Sequence, residues 1–281
     1  SKGFNSTAKV APFGWGFLFP HLRRTYIKKE VNSEKRFTMK SIAFYNNKGG
    51  VGKTTSVINI AYEFSGENRV LVIDVDGQAN CSRFFTDKQK EGLDKALVNI
   101  GVSPEQALCR TRYKNIDIIT ATPKLNGITP KFDRLTDDEQ TAIAREIISF
   151  GSDYDYVLLD LPPALTKVTE RLIGACDTVF IPIELSSFAI QGIPTITRIV
   201  QKCGAKLGAA PAFGGCIINK FDKKNSADGQ LIDLLNETLG NKTLNSKIPF
   251  SRVIKNSISG GLTAGELDER GKKLQGFSRR D

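Results

Sequence analysis

Lys48-Gly49-Gly50-Val51-Gly52-Lys53-Thr54-Thr55 is the stretch that decides how this chain is read. An apolar, β-prone run, Ser41 to Tyr45, precedes it, and a helix-like run, Thr54 to Phe64, follows. Strand, glycine-rich loop and helix in that order are the setting of the pattern G-x-x-x-x-G-K-[ST]. The chain carries a deviant form: a lysine, Lys48, opens the span before Gly52-Lys53, and two glycines follow it. Gly49, Gly50 and Gly52 let the backbone adopt φ > 0 and come close to a phosphate. Successive N–H groups, from Val51 through Thr55, and the helix N-terminus supply positive potential for an anion. Lys53 is placed to reach β and γ phosphates, and the Thr54 hydroxyl to hold Mg²⁺. The bland alternative is a glycine-rich turn with chance lysines, and the strand–loop–helix setting weighs against it.

Two acidic motifs belong with this loop. Asp74-Val75-Asp76-Gly77-Gln78-Ala79-Asn80 follows a second apolar run, Val70–Val75. Phosphoryl transfer needs mainly positioning and charge stabilisation, so a carboxylate such as Asp76 beside a metal suits that chemistry. Taken alone, the motif reads better as Asp and Asn forming a turn after a strand, and it is the pairing with the loop that reverses this. Tyr156-Val157-Leu158-Leu159-Asp160-Leu161-Pro162-Pro163 delivers one acidic residue, Asp160, at the end of a buried strand. A carboxylate there can hold Mg²⁺ through water.

From Met39 the chain alternates strand-like and helical runs. Strands are expected at Ser41–Tyr45, Val70–Val75, Ile116–Thr120, Tyr156–Leu161, Thr178–Ile183 and Gly214–Asn219. Helices are expected at Thr54–Phe64, Asp137–Phe150, Thr166–Ala175, Ile190–Cys203 and Ala227–Leu239. Runs such as Val70-Leu71-Val72-Ile73 are apolar on both faces, as parallel strands covered on both sides must be. The expected fold is α/β: a doubly wound, mostly parallel sheet with helices on both faces and the site at the strand C-terminal ends. Gly204–Phe213, rich in small residues, reads as a surface connection.

Together these motifs resemble the ParA/Soj type within the ParA/MinD ATPase family, whose deviant Walker A loop opens with a signature lysine. That family also includes the nitrogenase iron protein and the arsenite pump ATPase. The resemblance covers roughly Met39 to Leu262 and implies a phosphate-loop ATPase with ATP/ADP and Mg²⁺ as ligands. It implies slow hydrolysis in an ATP-dependent homodimer in which Lys48 reaches the partner's nucleotide. It gives Asp76 the attacking water, and Thr54, Asp76 and Asp160 the metal. Relatives usually carry proline where Gly77 stands, a departure that loosens the turn. Gly215-Cys216-Ile217-Ile218-Asn219-Lys220-Phe221-Asp222 resembles the strand whose Asn contacts adenine. Ile248-Pro249-Phe250-Ser251 resembles the segment that packs on the base, which brings Pro249 to the nucleotide. Ile181-Pro182-Ile183-Glu184 with Phe188, Gln191 and Gly192 reads as structural or dimer-facing.

The 281 residues, 40% hydrophobic and 25% charged, suit one sizeable domain with appendages. No apolar run approaches the roughly 18 residues of a membrane span, nothing resembles a secretory signal, and five scattered cysteines form no C-x-x-C pair. A cytoplasmic protein with reduced thiols is expected. The net charge of +10 is uneven. Residues 1–38 carry eight basic residues against Glu30 and Glu34; Lys272, Lys273, Arg279 and Arg280 crowd the other end against Asp281. The body between is near neutral, so only a local patch could meet nucleic acid. Residues 1–38 hold the only Trp and His, and Phe13-Gly14-Trp15-Gly16-Phe17-Leu18-Phe19-Pro20 has no regular period. The expected division is an extension over 1–38, ahead of a native start at Met39, an ATPase domain over 39–262 and a tail over 263–281. An aromatic, basic arm for DNA or membrane is the alternative for 1–38.

The resemblance also implies nonspecific DNA binding near Lys224, with Arg252 and Lys255 flanking a second, displaced position. Lys220, Lys223 and Lys247 extend the candidate patch, and an ordinary solvated lysine face is the alternative. The function implied is plasmid or chromosome segregation, with hydrolysis stimulated by a ParB-like partner and nucleoid association in the ATP state. The alternative is a positioning scaffold for a pilus, secretion or conjugation machine with little DNA binding. A membrane-bound MinD-like role is disfavoured, because Gly265–Phe277 has too few apolar residues for an amphipathic anchor. A shared iron–sulfur cluster is disfavoured because no cysteine follows Asp160 in Leu-Pro-Pro-Ala-Leu-Thr.

Overall fold

A computed structural model describes residues 39–205, 207, 210–222, 225–239 and 243–267. Its strands are β1 (Lys40–Phe44), β2 (Val70–Asp74), β3 (Leu108–Arg110), β4 (Ile116–Ile119), β5 (Tyr156–Asp160), β6 (Thr178–Glu184), β7 (Ala212–Phe221) and β8 (Thr243–Pro249). They form one sheet in the order β3-β4-β2-β5-β1-β6-β7-β8. Every neighbouring pair is parallel except β3 with β4. The α-helices are α1 (Lys53–Phe64), α2 (Asn80–Phe85), α3 (Leu93–Ala96), α4 (Thr129–Phe132), α5 (Asp137–Ser149), α6 (Lys167–Ala175), α7 (Ser187–Ala205), α8 (Ser226–Leu239) and α9 (Arg252–Ser259).

Alternation along the strands sends side chains to two cores. Ile42, Phe44, Val70, Val72 and Leu158 pack with Val57, Ile58 and Ala61 of α1 on one face. Ala43, Leu71, Ile73, Val157 and Leu159 pack with Ile143 and Ile147 of α5, Leu172 of α6 and Ile193 of α7 on the other. Both faces are therefore covered, which is why these strands read as continuous apolar runs. All five cysteines are buried and free, and among the described residues no helix is long and apolar enough to cross a membrane.

Register sets the site. Phe44 of β1 is level with Asp160 of β5, and Asp74 of β2 is level with Asp160 from the other side. The loops after β1 and β2 thus leave the sheet on either side of the same strand end. Pro182 lies inside β6 although proline has no N–H for a ladder. The β1–β6 pairing stops at Phe180, and beyond it the Asn46 Nδ2 donates to the Pro182 carbonyl at 2.8 Å.

The six expected strands and five expected helices are present, with shifted ends. α7 begins at Ser187 rather than Ile190, and the Gly204–Phe213 connection is trimmed by α7 and β7 at its ends. Two further strands appear: β3 is only three residues long, and β8 is an edge strand of polar sequence. Residues 263–267, placed in the tail by sequence, lie on α1: the Ala264 N–H donates to the Asn59 Oδ1 at 2.9 Å. The Tyr113 hydroxyl donates to the Glu266 Oε2 at 2.7 Å. The expected extension over 1–38 and the rest of the tail, from 268 onward, lie outside the described residues.

Candidate nucleotide site

The loop between β1 and α1 takes left-handed φ at Gly50 (+73°) and Gly52 (+98°). Gly52 is the N-cap of α1, which has no side-chain cap and no acidic residue in its first turn. Helices α5 and α6 differ: Thr136 caps α5 in a reciprocal box with Glu139, and Thr166 caps α6. An uncapped helix start leaves N–H groups and dipole free for an anion. α1 thus leaves its start open to a ligand, where α5 and α6 satisfy theirs.

Lys53 is buried at 7% exposure, and its Nζ donates to the carbonyls of Asn46 (3.1 Å) and Lys48 (3.0 Å). An ammonium has three donors, so one remains. Burial pulls Lys53 below the usual lysine range, and Asp160 and Asp76 oppose that shift. Lys48 lies exposed at the outer end of the loop, with its backbone N–H donating to the Asn46 Oδ1 at 2.9 Å. Asn46 thus organises the loop entry through its Oδ1, Nδ2 and carbonyl. Nothing in the motif spacing singles it out; the only sequence signal is an Asn pair, residues 46 and 47, just ahead of the loop.

Asp160 is 1% exposed, and among the described residues neither carboxylate oxygen has a hydrogen-bond partner. Burial pushes its carboxyl well above the usual carboxylate range, with Asp74 and Asp76 adding to the shift and Thr54 and Lys53 opposing it. The Thr54 hydroxyl therefore faces Asp160 without forming a full hydrogen bond. A buried, unpartnered carboxylate costs on the order of 1–3 kcal/mol or more. Oxygen donors of Asp160, Thr54 and Asp76 match the ligand set of a hard divalent cation, which would also reverse the local cost of charge.

Asp74 is tied down instead. It accepts from the Ser82 N–H (2.8 Å), the Ser82 hydroxyl (2.7 Å) and the Asp76 N–H (3.1 Å). Burial pushes it up to about 6, against the Ser82 hydrogen bonds. This anchors the turn that carries Asp76, whose Oδ1 accepts from the Gln78 N–H at 2.9 Å. Asp76 is half-buried and faces the same region as Lys53 and Asp160. Ser82 is invisible to motif reading because it lies eight residues beyond Asp74, on α2.

Asn219 sits near the end of β7, buried, and its Nδ2 donates to the Val51 carbonyl at 2.9 Å. Pro249 ends β8 level with Phe221, two residues beyond Asn219. Strand pairing therefore gathers the loop (Lys48 to Thr55), Asp76, Asp160 and Asn219 at one end of the sheet, with Pro249 on its edge. The DNA candidates are less placed. Lys224 lies outside the described residues, as do the side chains of Arg252 and Lys255. Lys220 is paired with Glu184 at 2.7 Å, and the Lys247 Nζ lies 5.8 Å from the Phe221 ring centre.

A doubly wound sheet, a phosphate loop and a strand-end carboxylate beside it define a P-loop nucleoside triphosphatase. A family model described as an AAA domain matches residues 39–209. The chain is 31% identical over 231 residues to the chromosome partitioning protein ParA of Caulobacter vibrioides, covering 79% of this chain and 85% of that one. It is 28% identical over 236 residues to the chromosome-partitioning ATPase Soj of Treponema pallidum, covering 82% and 90%. Apo McdA from Cyanothece shares the fold with a TM-score of 0.73 at 23% identity, over 82% of this chain and 93% of that one. The chain belongs to the ParA/Soj family of partitioning ATPases.

Proposed function

We propose that this protein is a Mg²⁺-dependent ATPase that dimerises on ATP, coats DNA without sequence preference and drives segregation of a plasmid or chromosome. The observation that carries the Mg²⁺-nucleotide part of this reading is Asp160: a buried carboxylate with two unpartnered oxygens beside Thr54, at the foot of an uncapped helix. Thr54, Asp76 and Asp160 would hold Mg²⁺, which when bound supplies charge neutralisation for the phosphates. Lys53 and the loop N–H groups hold the triphosphate, and the α1 N-terminus offsets its charge. Asp76, fixed by its anchored turn, orients the attacking water. Exposed Lys48 is free to cross to a second subunit's nucleotide. Phe188, 80% exposed at the start of α7, marks an apolar contact for that subunit.

The names of the relatives, a chromosome partitioning protein ParA and a chromosome-partitioning ATPase Soj, support the segregation role; a ParB-like activator and a cytoplasmic, nucleoid-associated ATP state complete the proposal. Lys224, Arg252 and Lys255 would supply phosphate contacts, which read charge rather than base. The test is DNA binding by the full chain with ATP, with ADP and without nucleotide, at two salt concentrations. Binding that needs ATP, weakens with salt and is lost in a Lys224/Arg252/Lys255 triple alanine variant is the expected result. ATP-dependent dimerisation with no DNA binding would replace this reading with a positioning scaffold.

A further inference from the structure

We propose that Asn219 is a positioning residue for the phosphate loop, acting on the triphosphate through the Val51–Gly52 peptide. The inference rests on the nucleotide reading of the site. Asn219 is 7% exposed and makes two hydrogen bonds: Nδ2 to the Val51 carbonyl at 2.9 Å, and Oδ1 from the Lys220 N–H at 2.9 Å. A carbonyl can only accept and a backbone N–H can only donate, so the amide orientation is fixed by its partners.

The Val51–Gly52 peptide is planar and trans, so its carbonyl and N–H point in opposite directions. Holding the Val51 carbonyl toward Asn219 therefore turns the Gly52 N–H the opposite way. That N–H belongs to the row the loop offers to an anion. Gly52 shows the closeness of the fit. An ideal Cβ built on it would overlap the Asn219 Nδ2 and come within 3.1 Å of the Asn219 Cγ. The support behind Asn219 is itself held. Lys220 takes a left-handed φ of +56°, and its Nζ is tied to the Glu184 Oε2 at 2.7 Å. Glu184 is level with Asn219 in the β6–β7 register. The chain of contacts runs from β6 through Lys220 and Asn219 into the loop. One N–H and one lone pair of the amide remain after these contacts.

Base reading and loop bracing differ for a ligand with no base. The experiment measures Mg²⁺-dependent affinity of the full chain, wild type and Asn219→Ala, for ATP, GTP and inorganic tripolyphosphate. Asn219→Ser, which keeps a short donor, is measured in parallel and serves if the alanine variant does not fold. The expected result is a loss of about tenfold for tripolyphosphate, and at least as large a loss for ATP, in Asn219→Ala. Asn219→Ser should lie between it and wild type. A fall in ATP affinity to the GTP level with tripolyphosphate unchanged would overturn the brace in favour of base reading. No change for any ligand would overturn it as well. Failure of the wild-type chain to bind either ATP or tripolyphosphate would remove the nucleotide reading itself, a result visible before any variant is compared.

Discussion

Replacing loop glycines one at a time with alanine separates two costs that the structure assigns to different positions. At Gly52, alanine must adopt φ +98°, which disfavours an L-residue by about 1–2 kcal/mol. Its Cβ also displaces the Asn219 amide, stranding the Val51 carbonyl at a cost of about 1–3 kcal/mol. The lower entropy of the unfolded chain returns about 0.4–1 kcal/mol. The net loss expected for Gly52→Ala is therefore about 2–4 kcal/mol. At Gly50, φ is +73° but nothing lies within 4 Å of an added Cβ, so only the backbone cost applies and the net is about 1 kcal/mol. Gly49 has open space and no left-handed φ, so alanine should be neutral or slightly stabilising. The assay is denaturant unfolding of the nucleotide-free protein, with the midpoint and slope both fitted. The order Gly49, Gly50, Gly52 of increasing damage is the prediction. Equal loss at Gly49 and Gly52 would refute the assignment of strain and contact to Gly52.

Three further outcomes concern the chemistry. Lys53→Ala removes the buried ammonium and should abolish nucleotide binding; micromolar ATP affinity by calorimetry would sink the loop assignment. Lys48→Ala should leave ATP binding within about twofold but eliminate ATP-dependent dimerisation and turnover, because that lysine is exposed and makes no part of the loop's own bracing through its side chain. An unchanged dimer in light scattering would refute the action across subunits. Asp76→Ala should trap an ATP-bound dimer with hydrolysis reduced by about a hundredfold or more, the scale of a lost positioning group; wild-type phosphate release would argue against its water-orienting role.

Much of this molecule was legible before any coordinates. The phosphate loop was visible because such loops hold glycines, a lysine and a threonine at a fixed spacing, and because two-sided apolar runs mark buried parallel strands. Asp160 was visible for the same reason: one acidic residue ends an otherwise apolar run. β8 was not legible, since Thr243-Leu244-Asn245-Ser246-Lys247-Ile248-Pro249 is an edge strand with no apolar alternation, and β3 was too short for any period to show.

The doubly wound class, the glycine-rich loop and the carboxylates near it follow from residue order alone, because each is written in local pattern. Which groups meet depends on the folded sheet. The sheet order sets β5 between β1 and β2, so Asp160 and Asp74 become neighbours although they are far apart in the chain. It also set two apparently similar aspartates apart: Asp74 is spent on Ser82, whereas Asp160 is left without a partner. It joined Asn219 to Val51 across 168 positions. Such contacts depend on strand order and register, which are properties of the whole sheet and have no signature in any single segment.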